Sequence, residues 1–324
     1  MPYKTILKIK LILILIFGLG NNCDSQTKQY LNQNEIRTVI DTCIHAFKTY
    51  YIYPDAVPKI EKHINNQIKN GQYSNIEDLL VLTKRLRKDF RDATHDHHIW
   101  IDIMENLLIQ DKPVSMEEII KEKSKNNFGF FESKVLDENI GYLRIDSFDN
   151  LEYARETAAN AIEKLADSKS IILDLRNNHG GHQNMVTFIS SYFFEESMQL
   201  NSLYFRAADS LAEYWTNPLV PGKKLLNQQV FILTSKNTAS AAESFTYSMK
   251  HYKRAVIVGE STRGAAHWKE TYKFPSLGIF AEIPVARPIN PVTKKDWESE
   301  GVEPDIEISA DEAFDKAVRI ALNK

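Results

Sequence analysis

The sequence predicts an α/β fold carrying a small N-terminal helical bundle, and three patterns support that reading. Residues 35 to 92 place apolar side chains at helical spacing. After His98 the pattern changes to short β-rich runs, beginning with Ile99, Ile101 and Ile103 in alternation with Trp100 and Asp102. From residue 139 onward, short apolar runs alternate with helical ones, the rhythm of strands joined by crossover helices.

In order, Ile36, Val39, Ile40, Cys43, Ile44 and Phe47 make the first helical face, which Tyr53-Pro54 interrupts. Ile60, Ile64 and Ile68 make a second, ending near Gly71, and Ile76, Leu79, Leu80, Leu82 and Leu86 a third. Residues 105 to 130 are rich in Lys and Glu and read as a linker or an exposed helix. Strands are then expected at Asn139–Ile145, Ile171–Leu175, Val230–Thr234 and Ala255–Val258. The intervening helices are expected at Leu151–Ala166, Met185–Phe194 and Ala241–Tyr252. Function in such a layer sits at the ends of the strands.

Composition narrows the setting. With 324 residues, 43% of them hydrophobic, the chain can bury a sizeable core. The net charge of -3 is spread without a basic block, so no nucleic-acid partner is expected. Lys4, Lys8 and Lys10 precede an apolar run from Leu11 to Leu19, a basic region and short apolar region that describe an export signal within residues 1–25. The protein is therefore expected in the periplasm, on the outer envelope or secreted. Cys23 stands where a lipoprotein would be acylated, although Asn22 before it is larger than such sites prefer; lipid attachment to a membrane and plain cleavage both remain open. With Cys23 removed or acylated, Cys43 has no partner for an internal disulfide.

Four places could carry chemistry. Ser240, in Thr238-Ala239-Ser240-Ala241-Ala242-Glu243, falls between a strand and a helix, where the helix dipole and the next N–H favour a developing oxyanion. A serine there is also an ordinary N-cap. Gly180-Gly181 follows a buried strand and can leave N–H groups unobstructed, or simply make a tight turn; Arg176 and Asn177 are placed to brace that loop. In His95-Asp96-His97-His98 no HExxH spacing accompanies the histidines, and strand alternation sends His97 and His98 to opposite faces. No metal or organic cofactor is expected from this pattern, whereas one imidazole suffices as a general base. Glu298, in Trp297-Glu298-Ser299-Glu300-Gly301, supplies the type of carboxylate that orients an imidazole, and is otherwise a solvated loop charge.

The order of these signals is more specific than any one of them. Asn139-Ile140-Gly141-Tyr142-Leu143, Leu173-Asp174-Leu175-Arg176-Asn177-Asn178-x-Gly180-Gly181, Ala239-Ser240-Ala241-Ala242-Glu243, Val258-Gly259-Glu260-Ser261-Thr262 and Gly301-Val302-x-Pro304-Asp305 together resemble the S41 peptidases. The match looks nearest to the branch of interphotoreceptor retinoid-binding protein. The resemblance implies a ClpP/crotonase-like core, with a helical domain over 26–97, a catalytic domain over 98–310 and a closing helix over 311–324. It implies a serine peptidase acting on peptides or unfolded proteins, with Ser240 as nucleophile and Ala241, Gly180 and Gly181 as oxyanion donors. Similarity to the tricorn-like branch makes His98 the base and Glu298 its orienting carboxylate.

The processing proteases of the same family use a lysine after the serine. Here that stretch is Thr262-Arg263-Gly264-Ala265-Ala266-His267, and Lys269 falls out of register, so a Ser/Lys dyad is not expected. His179, Arg263 and Ala265 depart from the pattern. His179 and His267 are candidate substrate contacts, with His267 also the reserve base. The retinoid-binding relatives imply the competing reading, an idle site on a module that holds apolar ligands.

Overall fold

The computed structural model describes residues 31–110 and 114–323, with side chains left out at 108–110. The expected export signal and Cys23 lie outside the described residues. Among those described, no helix is long and apolar enough to cross a membrane.

The first helix, α1 (Gln33–Tyr50), opens on Asn32, whose Oδ1 accepts from the N–H groups of Asn34 and Glu35 while Glu35 accepts from the N–H of Asn32. This reciprocal pair satisfies donors that a helix start leaves orphaned. The expected break follows: a short 3-10 turn at Pro54–Ala56 separates α1 from α2 (Val57–Lys69). Asp78 caps α3 (Leu79–Thr94), which ends on His95 in the left-handed region at φ 60°.

The chain continues through β1 (Trp100–Ile103), α4 (Met104–Gln110), α5 (Met116–Ser124), β2 (Phe130–Leu136), β3 (Ile140–Ile145) and α6 (Leu151–Glu163). Next come β4 (Ser170–Asp174), α7 (Gln183–Ser190), β5 (Gln199–Phe205), β6 (Ser210–Trp215), β7 (Gln229–Thr234) and α8 (Ala241–His251). The last elements are β8 (Val256–Gly259), β9 (Trp268–Phe274), β10 (Ile279–Ile289), β11 (Ile306–Glu307) and α9 (Ala313–Ala321).

One sheet has the order β11-β8-β7-β4-β3-β2, parallel from β11 to β3 and antiparallel only at β2. Period-two alternation divides its side chains between two cores. Leu143, Ile145, Ile171, Leu173, Val230 and Ile232 face α6, α7 and α8. Ile140, Tyr142, Ile172, Phe231 and Leu233 face Ala313 and Ala317 of α9. Both faces are covered, as a parallel sheet requires, which is why these strands read as nearly continuous apolar runs.

A second, antiparallel sheet runs β1-β10-β5-β6, with β9 also paired to β10. Of it, sequence reading anticipates only the β1 region. The buried faces of α1, α2 and α3 rest on it: Val39, Phe47, Ile60, Ile64, Leu86 and Phe90 share one core with Ile101, Ile279, Ala281 and Ile283. The helical bundle thus has a floor made partly of strands some 200 positions later. Residues 105 to 130, expected as linker or exposed helix, include α4 and α5. Cys43 is a buried free thiol, its pKa pushed up to about 12 by burial.

Candidate active site

Ser240 sits where the order of elements predicts, beyond the C-terminal end of β7 and at the start of α8. Its backbone is at φ 55°, ψ -117°, a conformation that a side-chain-bearing residue adopts only when its surroundings hold it. Four hydrogen bonds to one carboxylate supply that hold. Glu243, fully buried one turn into α8, accepts the Ser240 N–H at 2.8 Å. The same carboxylate accepts from Thr262 Oγ1, Gly264 N–H and Ala265 N–H at 2.6, 2.6 and 2.9 Å. Burial raises its pKa while those four donors oppose the rise. Glu243 therefore ties the serine turn to the 262–266 loop. Its i+3 spacing from Ser240 is the signal by which the sequence could have revealed it.

The diglycine loop leaves the end of β4, the strand next to β7. A Cβ on Gly180 would lie 2.8 Å from Ser240 Cβ and 3.1 Å from Ala241 N, so only glycine allows this approach, and its φ of 106° favours glycine too. Gly180 turns its N–H to Asn178 Oδ1 at 2.8 Å, which leaves Gly181 as the glycine lining the cleft. The brace for this loop is the buried Asn178 rather than Asn177: its carbonyl accepts from Ala239 N–H and its amide donates to Ile145. Arg176 instead grips Asp174 and the carbonyl of Ala310.

A cleft opens beside these turns, lined by Gly181, Ser240, Ala241, His267 and Trp297 among others. His179 is exposed and does not line it. Arg263 is exposed, its N–H bound to the carbonyl of Thr238, and Ala265 accepts from the Trp297 indole. Lys269 pairs with Glu282 across β9 and β10.

Next to the cleft, four titratable side chains from three distant segments meet. His95, left-handed at the end of α3, reverses the chain; Arg91 then clamps the carbonyls of His97 and Ile99, and Asp96 Oδ1 accepts the His98 N–H. This turn exposes His97 and sends His98 inward. His98 Nδ1 lies 3.3 Å from Asp96 and 3.6 Å from Glu298, within ion-pair range of both but hydrogen-bonded to neither. His267 Nδ1 is 2.9 Å from Asp96 Oδ2 and 3.6 Å from Glu298 Oε2, and its Nε2 meets the hydroxyl of Tyr53 at 3.2 Å. Glu298 Oε2 accepts from the N–H groups of Ala266 and His267, and Tyr51 donates its hydroxyl to Asp96.

The charges follow from this packing. Burial alone would raise Asp96, but His267 and His98 hold it well below the usual carboxylate range. Burial disfavours the His98 imidazolium, yet Asp96 and Glu298 outweigh it and raise its pKa to about 9. Burial pushes Tyr53 up to about 12.

The structure thus brings His98, Glu298 and His267 together and adds Asp96, Tyr51 and Tyr53, to which sequence reading assigned no role. Asp96 was visible inside the histidine cluster; the tyrosines carry no local signal. Among the described residues, no hydrogen bond joins Ser240 to either imidazole, and it is His267, not His98, that lines the cleft with it.

Comparison with known proteins agrees with this construction. Residues 139–308 match the model for peptidase family S41, and residues 31–128 match that for the N-terminal domain of the S41 peptidase in eukaryotic IRBP. A Staphylococcus epidermidis protein named "Probable CtpA-like serine protease" is 28% identical over 173 residues, 53% of this chain and 34% of that protein. The chain thus matches about a third of that relative's length. In fold, the crystal structure of mature CPAF aligns with TM-score 0.61 at 12% identity, covering 90% of this chain and 96% of that one. A lipoprotein from Streptococcus agalactiae aligns with TM-score 0.57 at 17% identity, over 94% and 99%. With more than half its length matched to the family model, the chain belongs to peptidase family S41.

Proposed function

We propose that this chain hydrolyses peptide bonds through an acyl-enzyme on Ser240. The observation that carries the reading is the strained Ser240 turn. It presents the hydroxyl at a helix start in a cleft shared with Gly181 and Ala241, beside an imidazole–carboxylate cluster.

Each role falls to a residue with the chemistry free to perform it. No partner occupies His98 Nε2 among the described residues, while Nδ1 faces Asp96 and Glu298. Carboxylates at Nδ1 keep the proton there and leave Nε2 as the acceptor. His267 has both nitrogens engaged, by Asp96 and Tyr53, which suits a positioning group better than a base. In the first half-reaction the Ser240 proton passes to His98 Nε2 as Oγ bonds to the substrate carbonyl carbon. Negative charge then gathers on the carbonyl oxygen, facing the N–H groups of Ala241 and Gly181. Collapse breaks the C–N bond, and His98 returns the proton to the leaving amine. Water repeats the sequence against the ester.

The substrate class is peptides or unfolded protein segments, which can lie extended along an open cleft. Fluorophosphonate labelling and hydrolysis of unstructured peptides test the reading. Wild type is expected to label and cleave, and Ser240→Ala to do neither; equal labelling of the two proteins would remove Ser240 from the mechanism.

A further inference from the structure

We propose that Asp96, His98, His267 and Glu298 form a binding site for a zinc-class divalent cation, and that the loaded site switches the peptidase off. Two imidazoles and two carboxylates each offer one ligand atom here, all within 4.8 Å of one another. The nitrogen-to-oxygen separations are 3.3 and 3.6 Å from His98 Nδ1, and 2.9 and 3.6 Å from His267 Nδ1. Zinc bonds of about 2.0–2.2 Å at tetrahedral angles put neighbouring ligand atoms about 3.3–3.6 Å apart. These pairs use Asp96 Oδ1 and Glu298 Oε1 toward His98 but Asp96 Oδ2 and Glu298 Oε2 toward His267, so one bound ion would turn a single oxygen of each carboxylate inward and draw together ligand atoms that already lie within 4.8 Å.

Two further features point the same way. His98 Nδ1 is buried without a hydrogen-bond partner, and it becomes a ligand atom when an incoming ion displaces its proton. The outer groups are also in place: Tyr51 donates to Asp96, two backbone N–H groups donate to Glu298, and the Tyr53 hydroxyl stands 3.2 Å from His267 Nε2. An imidazole that ligates through Nδ1 carries its proton on Nε2, where Tyr53 can accept it, and such supports commonly change metal affinity 10- to 100-fold. Two carboxylates neutralise a divalent ion, and the mixed nitrogen and oxygen set suits zinc over magnesium or calcium.

The inhibitory consequence is a matter of tautomers. A neutral imidazole has one donor and one acceptor nitrogen. When Nδ1 of His98 holds the ion, Nε2 bears hydrogen and can no longer take the proton of Ser240. Only this consequence rests on the serine-peptidase reading; the binding site stands on its own ligands.

The test uses the chain after chelator dialysis, with zinc chloride titrated by calorimetry into wild type and Ser240→Ala. One ion per chain is expected in both, with affinity lowered roughly 100-fold or more in His267→Gln and Asp96→Asn and about 10-fold in Tyr53→Phe. Cobalt(II) in the wild type is expected to give the intense visible absorption of a tetrahedral site, a readout that does not depend on any variant folding. Peptide hydrolysis should fall in step with zinc occupancy and recover with chelator. Absence of stoichiometric binding by wild type would overturn the proposal. So would binding that survives His267→Gln but is lost in His63→Gln, which would move the ion to the cluster of His63, Asp89 and Asp92. Stoichiometric zinc with peptidase activity unchanged would overturn the switch. Zinc bound by a chain that never labels or cleaves would support the site and remove the peptidase reading instead.

Discussion

The two halves of the site are built in different ways. The Ser240 half consists of turns that leave adjacent parallel strands, β4 and β7, and is held by backbone N–H groups, buried Asn178 and buried Glu243. The imidazole–carboxylate half consists of Tyr51, Tyr53, Asp96, His98, His267 and Glu298, whose side chains contact one another, with a few backbone N–H groups holding the carboxylates. The first is set once the sheet forms. The second depends on protonation, on occupancy and on the two sheets packing in register, and it is the half that solution conditions can reach.

Substitutions can break that contrast in descending order of effect. Ser240→Ala should lower kcat/KM on the order of 10⁴-fold or more and abolish probe labelling without a change in thermal midpoint. His98→Gln should cost about 10³- to 10⁴-fold, chiefly in kcat. His267→Gln should cost about 10- to 100-fold; a larger loss in His267→Gln than in His98→Gln would exchange their roles. Gly180→Ala, which puts a methyl against Ser240 Cβ and Ala241 N, should lower kcat about 100- to 1000-fold, through misplaced donors, with far-UV circular dichroism unchanged.

Next in size is the pH response, measured with chelator present. A base with pKa raised to about 9 is neutral above that value, so activity should climb through about pH 9 and stand about 100-fold below its plateau at pH 7. Stability should move the other way. The proton on His98 favours the folded state, a contribution complete below the unfolded pKa of about 6.5 and lost as pH rises through about 9. A flat rate profile from pH 6 to 9 would refute the assignment of His98. The smallest expected effect is that of Lys269→Ala, about twofold or less, because its ammonium is already paired with Glu282; a loss comparable to His98→Gln would restore the lysine-dyad reading.

Much of the Ser240 half was legible in residue order. The runs around Leu173, Phe231 and Ile257 carry the apolar density of doubly covered strands, and the serine and the diglycine each follow one of them. The second sheet was not. Its edge strands, Trp268-Lys-Glu-Thr-Tyr-Lys-Phe274 and Ser210–Trp215, are largely exposed and polar, so periodicity had little to detect. The tyrosine supports were also hidden, since Tyr53 reads only as part of the Tyr53-Pro54 break and no local pattern marks Tyr51. Of the two glycines, only the geometry of Asn178 separates the committed N–H from the one at the cleft.

The sequence alone determined the alternation of strands and helices, the helix starts and the position of Ser240 at the head of α8. Those depend on spacings of two to four residues, and side-chain periodicity encodes them locally. Tertiary structure decided which imidazole faces the cleft, brought Asp96 between two histidines and laid the bundle on the late strands. His267 and Asp96 are 171 positions apart, and their 2.9 Å contact arises only when both sheets and their loops have closed around them.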